Sequence, residues 1–269
     1  MAAVTWFAVL QYAGHGFAGW QRQATARTVQ GEVEAALAQL AGARVVVHAA
    51  GRTDAGVHAL GQVVSFRLGR PWEEADLVRA LNAMLPGDIW VVRAGPARRG
   101  FHARKHATSR CYRYVVGCDA GARSPFRRPF EWALGRALDP AALQASADCV
   151  RGTHDFRGLS TVGQAKPHYR CTLDVAEWRA RARGEGFIFL VEADRFLHRM
   201  VRFLVGIAVE VALGRRPIDD IRRLLQSTDN RDASPPAPPE GLYLVGARYP
   251  ESHLGGDLDL CSSFSTPRI

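Results

Sequence analysis

The stretch AGRTDAGVHALGQVVSF (50–66) places one carboxylate, Asp54, between Gly51 and Gly56, just after Arg52 and before His58. Those types at that spacing suit a carboxylate used as a nucleophile. The glycines permit positive φ and close approach of another molecule. A nearby guanidinium favours the ionised carboxylate. The same residues also fit a plain Asx turn between two strands, so the turn alone leaves both readings open. Two further stretches carry reactive or recognition groups. RRGFHARKHATSRCYR (98–113) interleaves Arg98, Arg99, Arg104, Lys105, Arg110 and Arg113 with Phe101, His102, His106 and Tyr112, and contains no acid. Cations alternating with rings suit phosphate neutralisation and stacking on unpaired bases. In RFLHRMVRFLVG (195–206), Arg195, His198, Arg199 and Arg202 recur at helical spacing, as one cationic stripe. Arg202 leads into an apolar run, so it reads as a half-buried cation that needs a carboxylate partner.

GHGFAG (14–19) is a literal G-x-G-x-x-G after a strand-like segment. A dinucleotide site also needs a helix opening at the third glycine and an acid ending the next strand. Helical periodicity here begins only near Thr28, and the next strand ends at Val47-His48 without a carboxylate. No nucleotide cofactor is expected. The loop continues through Trp20, Gln21, Arg22 and Gln23, a ring beside polar and cationic groups that suits RNA. The plainer alternative makes Trp20 a core anchor and Arg22 a solvated cation.

The elements that must hold these groups follow from periodicity and caps. TWFAVLQY (5–12) alternates as a strand, and Thr28 caps a helix over TVQGEVEAALAQLAG, with Gly42 near its end. ARVVVHA (43–49) and GQVVSFRL (61–68) read as strands around the Asp54 turn, followed by the helix PWEEADLVRALNAMLP and the strand DIWVVRAGP. The second half predicts strands at 108–118, 170–180, 186–194 and 241–249, and helices at 139–152, 197–214 and 217–227. SPPAPPE (234–240) is a connector that cannot be helix or central strand. The expected fold is α+β: two ferredoxin-like β-α-β-β-α-β halves with mainly antiparallel sheet and helices on one face. The halves are expected at 1–104, carrying the aspartate turn, and 105–250, with a tail at 251–269.

Hydrophobic residues make up 47% of the 269, and no apolar run approaches a membrane span. The N-terminus lacks a basic region and alternates like a strand, so a soluble cytoplasmic protein is expected, with no membrane partner. The five cysteines are odd in number, widely spaced and without C-x-x-C. Reduced thiols are therefore expected, with neither a disulfide framework nor a metal site. The formal charge of +9 divides as +4 over 1–104, +7 over 105–250 and −2 over the tail, and only two of the cations are lysine. Guanidinium-rich charge on the folded body favours a polyanionic partner.

With those residues in view, the sequence resembles the tRNA pseudouridine synthase A family. The resemblance runs through GWQRQ (19–23), AGRTDAGVHALGQVVSF (50–66), NAMLPGDIWV (82–91), FHARKHATSRCYRY (101–114), FLHRMVRFLVG (196–206) and EGLYLVGARYP (240–250). It implies isomerisation of uridine to pseudouridine at positions 38, 39 and 40 of the tRNA anticodon stem-loop, without cofactor or metal, by a homodimer that tRNA lies across. Asp54 matches the family's nucleophilic aspartate, and Arg52 its neighbour that helps hold the flipped base. Tyr112 matches the tyrosine packed on the uracil, and Arg202 the arginine paired with the catalytic carboxylate. Arg22, His58 and Arg104 are further expected RNA contacts. Phe203 stands where the family commonly has asparagine, and DFRGLST (155–161) departs from its usual pattern. The rival readings are a non-catalytic RNA-binding module, in which Asp54 only shapes a turn, and a dinucleotide-dependent oxidoreductase built on GHGFAG.

Overall fold

A computed structural model describes residues 3–161, 168–254 and 261 of the chain. The fold is α+β and its strand pairing is mainly antiparallel, as the periodicities predict. Two compact units emerge: residues 1–110 with 243–269, and residues 111–242. Most of the 251–269 tail lies outside the described residues.

The first unit runs β1 (Val4–Tyr12), α1 (Val29–Ala41), β2 (His48–Ala49), β3 (His58–Leu68), α2 (Glu74–Met84) and β4 (Ile89–Pro96). β1 pairs antiparallel with β3 from Val4↔Leu68 to Tyr12↔Ala59, and β4 pairs antiparallel with β1. The last strand, β10 (Leu242–Arg248), belongs to this unit from Tyr243 onward and runs parallel to β3 at Tyr243↔His58 and Leu244↔Ala59. β3 therefore has β1 along one edge, with β10 at the start and β2 at the end of the other. Thr5 to Leu10 are buried without interruption, so β1 is covered on both faces instead of one. Phe7, Val9 and Val63 share a core with Ala50, Phe101, Ala103, Ala247 and Leu254.

Helix α1 starts and stops where its caps predict. Thr28 Oγ1 accepts from Gly31 N at 3.3 Å, and Gly42 closes the helix at φ 66°. The strand expected over 43–49 is realised only at His48–Ala49. Val47 N donates to Glu34 Oε1 at 3.1 Å, and Val47 O accepts from Gln30 Nε2 at 3.2 Å. Two buried side chains of α1 thus take the backbone groups that a ladder would have used.

The second unit holds most of β5 (Ser109–Gly117), then β6 (Trp132–Ala133), α3 (Pro140–Val150), β7 (Gly152–Asp155), β8 (Arg170–Ala180), β9 (Gly186–Ala193), α4 (Met200–Ala212) and α5 (Asp219–Leu225). Its strand order is β5-β9-β8-β7, with β6 beside β5. β8 and β9 form the expected hairpin, and Arg183, Gly184 and Gly186 turn the chain at positive φ. α4 begins only at Met200, after Arg199 in the left-handed region at φ 59°. Arg195, His198 and Arg199 therefore precede the helix and form no helical stripe with Arg202. Cys118, Cys149 and Cys171 are reduced thiols, whereas Cys111 and Cys261 are not, which corrects the expectation for those two. None of the described helices is long and apolar enough to cross a membrane.

Candidate active site

The Asp54 turn (50–57) is built into β3 by side chains that the strand itself supplies. Gln62, fully buried on β3, donates through Nε2 to Gly51 O at 2.6 Å and to Tyr12 Oη at 3.3 Å. Its Oε1 accepts from Gly51 N at 3.3 Å. Tyr12 Oη and Thr53 Oγ1 lie 2.8 Å apart, which ties the turn to β1. Burial pushes the Tyr12 phenol up to about 12, although the Thr53 and Gln62 bonds pull the other way. It is therefore a neutral hydrogen-bonding group at physiological pH. From the other side, the Arg110 guanidinium donates to Ala50 O, Ala107 O and Arg104 O. The sequence offered Arg110 to phosphate, but its donors instead fasten the backbone just before the turn.

The glycine loop braces the third side. Trp20 N donates to Thr53 O at 3.0 Å, Gly56 N to Phe17 O at 3.4 Å, and Gly14 N to His58 Nδ1 at 3.0 Å. A Cβ on Gly14 would sit 2.0 Å from Val57 O, and one on Gly19, at φ 98°, would sit 2.9 Å from Thr53 O. Gly14 and Gly19 of GHGFAG let this loop press its backbone onto the turn, whereas Gly16 faces the Arg27 and Asp88 side chains. No helix starts at Gly19, so the phosphate cradle of a dinucleotide site is missing.

Within that frame Asp54 is half-buried, Arg52 is exposed and His58 is 1% exposed. Arg52 and Asp54 share the turn and His58 opens β3 directly after it, but Arg52 forms no ion pair among the described residues. The His58 ring stacks on Tyr243 at 4.8 Å, which places it inside the unit. Trp20 is 2% exposed and anchors the core, while Arg22 reaches Glu34 at 3.4 Å from an exposed position. Arg104 is exposed on the separate 102–106 segment. Such bracing holds the backbone that carries Asp54, and a carboxylate on a fixed backbone can act as a nucleophile toward a carbon of a bound substrate.

In the second unit, Tyr112 lies on β5, 8% exposed, with its ring edge-to-face on Phe196 at 5.0 Å. Arg202 lies in the first turn of α4 and is half-buried, as the sequence implies. Its Nε donates to Ala237 O at 2.6 Å, and Ala237 N donates back to Arg202 O at 2.9 Å. Tyr114 Oη donates to Pro238 O at 2.7 Å. Sequence reasoning treated SPPAPPE as a mere connector, yet it is strapped across α4. Gly206 carried the signal: it is one helical turn beyond Arg202, and a Cβ there would meet Pro235 O at 2.3 Å. Tyr12, Thr53 and Gln62 were also missed. Their signal was the presence of polar groups inside otherwise apolar strands.

The family model for tRNA pseudouridine synthase matches residues 8–104 and 147–250. Those ranges contain Arg52, Asp54 and Arg202, with Tyr112 falling between them. The tRNA pseudouridine synthase A of Methylobacterium sp. (strain 4-46) is 42% identical over 249 residues, 90% of this chain and 96% of that protein. The protein of the same name from Caulobacter vibrioides (strain NA1000 / CB15N) is 40% identical over 243 residues, 90% of this chain and 97% of its own length. That from Dictyoglomus thermophilum (strain ATCC 35947 / DSM 3960 / H-6-12) is 37% identical over 248 residues, 91% of this chain and all of its own length. This chain belongs to the tRNA pseudouridine synthase family.

Proposed function

We propose that this chain isomerises uridine to pseudouridine at positions 38, 39 and 40 of the tRNA anticodon stem-loop, with Asp54 as the nucleophile. The observation that supports this reading most is the bracing of the Asp54 turn by Gln62, Arg110 and the glycine loop. A turn needed only to reverse the chain would not require three independent supports. The target base must leave its stack before its reacting atoms can be reached. Asp54 then attacks either C1′ of the ribose or C6 of the uracil. The C1′–N1 bond breaks, the uracil turns in place, and a C1′–C5 bond forms while the bond to the Asp54 carboxylate breaks and releases it unchanged. The proton lost from C5 is balanced by one gained at N1, so the reaction needs no oxidant, reductant or co-substrate. Tyr112, as the ring packed on the uracil, and Arg202, as partner of the carboxylate, are carried over from the family resemblance. Tyr112 and the carboxylate are the candidate acceptors of the C5 proton. A homodimer working on tRNA in the cytoplasm completes the proposal.

The test is Asp54→Asn, which keeps size and hydrogen bonding but removes the charge. Tritium release from C5-labelled uridine in unmodified tRNA should fall by about 10³-fold or more, with tRNA affinity within a few-fold. Release at the wild-type rate would leave Asp54 as a turn residue and favour the RNA-binding module.

A further inference from the structure

At the far end of β3 from Asp54 the first unit opens a cavity of ≈ 480 Å³. Its wall includes Arg44, Arg67 and Arg99 with His48 and His102, and it contains no carboxylate. The two imidazoles stack, with centroids 4.3 Å apart and planes 17° from parallel. None of the three arginines has an ion-pair partner among the described residues. Elsewhere Arg27 pairs with Asp88, Arg127 with Asp119 and Arg216 with Asp220, while single exposed arginines such as Arg52 and Arg104 have no ion pair among the described residues. The distinguishing feature here is three such cations gathered on one wall without a carboxylate. A concave wall of unpaired cations therefore calls for an anion from outside.

We propose that this cavity is a second RNA site, where Arg44, Arg67 and Arg99 take backbone phosphates of the substrate at a distance from the reacting uridine. His48 pairs with Ser65 and Arg67 lies two residues further, whereas the turn ends where β3 begins at His58. At about 3.3 Å per strand residue the cavity is roughly 20–30 Å from Asp54. With a rise on the order of 3.4 Å per nucleotide along a helix axis, a helical RNA reaches it some six to nine nucleotides from the flipped base. Guanidinium forks match phosphate oxygens, and the stacked imidazoles offer a face to an unpaired base. Burial, with His48 and Lys105 adding their charge, holds His102 below the usual imidazole range, which favours the neutral ring. The proposal rests on an RNA substrate but not on Asp54 as nucleophile.

The test compares three proteins by tRNA binding across a salt series. Arg44→Gln/Arg67→Gln/Arg99→Gln removes the cavity's cations, which are all exposed, so the fold is retained. Arg79→Gln/Arg222→Gln/Arg231→Gln removes as much charge from exposed sites elsewhere. The cavity variant should lose about 2–3 in the slope of log K against log salt, and the control less than 1. Arg→Lys at the three cavity positions should restore most of the slope. Equal losses in cavity variant and control would overturn the proposal, because net charge alone would then explain binding. An unchanged tRNA slope, together with wild-type-only binding of inorganic phosphate, would also overturn it, assigning the cavity to a free anion. Unmodified tRNA left unconverted by wild-type protein would instead sink the synthase reading.

Discussion

Asp54 sits on a turn held by buried side chains, and Gln62 does the most of this. It is fully buried and satisfies both polar atoms of Gly51 at once. Gln62→Leu keeps the volume but strips the part-buried Gly51 N and O and the buried Tyr12 Oη of that partner. Each orphaned buried group costs about 1–3 kcal/mol, so chemical denaturation should report a loss of about 3 kcal/mol. Tritium release should fall by a larger factor than tRNA affinity, since the loosened turn carries the carboxylate. Equal falls in both would assign Gln62 to stability alone. Gly14→Ala acts from the opposite side. Its methyl would lie 2.0 Å from the Val57 carbonyl, which belongs to backbone and cannot rotate away. A loss of about 3 kcal/mol or more is expected, and a wild-type melting temperature would mean the loop does not brace the turn.

Among the elements, the 102–106 segment is held by hydrogen bonds that acid abolishes. His102 N donates to His106 Nδ1 at 3.2 Å, and Arg104 N donates to His102 Nδ1 at 3.2 Å. An imidazolium cannot accept either bond. Both rings sit below the ordinary histidine value: burial is the largest cause, followed by His48 and Lys105 at His102, and by His253, Lys105 and Arg98 at His106. A base with a depressed folded-state pKa binds its proton more readily in the unfolded chain. The stability is therefore complete above the unfolded value near 6.5 and is lost as pH falls through the folded value. Amide exchange at His102 and Arg104, corrected for intrinsic rates, should accelerate several-fold between pH 7 and 5. His102→Gln with His106→Gln should flatten that response, and an unflattened one would place the pH sensitivity elsewhere. No spacing in FHARKH advertises this arrangement, whereas α1 was legible from Thr28 and Gly42, and the β8–β9 hairpin from RGEG. The limits of sequence reading were tertiary in each case. Val45 to Val47 look like a strand until Glu34 and Gln30 claim the backbone of Val47. Arg110 looks like a phosphate ligand until its donors meet three carbonyls. The Asp54 turn was legible as a motif, but its supports at Tyr12 and Gln62 were not, because they come from strands read only for their apolar residues.

At the scale of the whole molecule, the first unit is completed by the end of the chain. β10 adds Leu244 and Ala247 at 0% exposure and Tyr243 at 4%, and Leu254 beyond it enters the core with Phe7 and Phe101. Tyr243 also stacks on His58, the residue on which the glycine loop rests. Burying a large apolar side chain contributes about 1.5–3 kcal/mol, so these residues together rival the 5–15 kcal/mol that stabilises a typical domain. The first 110 residues are therefore expected not to fold alone, even though they spell a full β-α-β-β-α-β pattern. A 1–110 fragment should lack a cooperative melting transition and show fast amide exchange along β3. Fusing residues 241–254 to it through a flexible linker should restore a cooperative transition, since the parallel partner of β3 returns with its core residues. A fragment that melts cooperatively without them would mean that β10 only covers an already stable sheet. The Asp54 turn would then be organised before the chain is complete, and the closing strand would serve His58 alone.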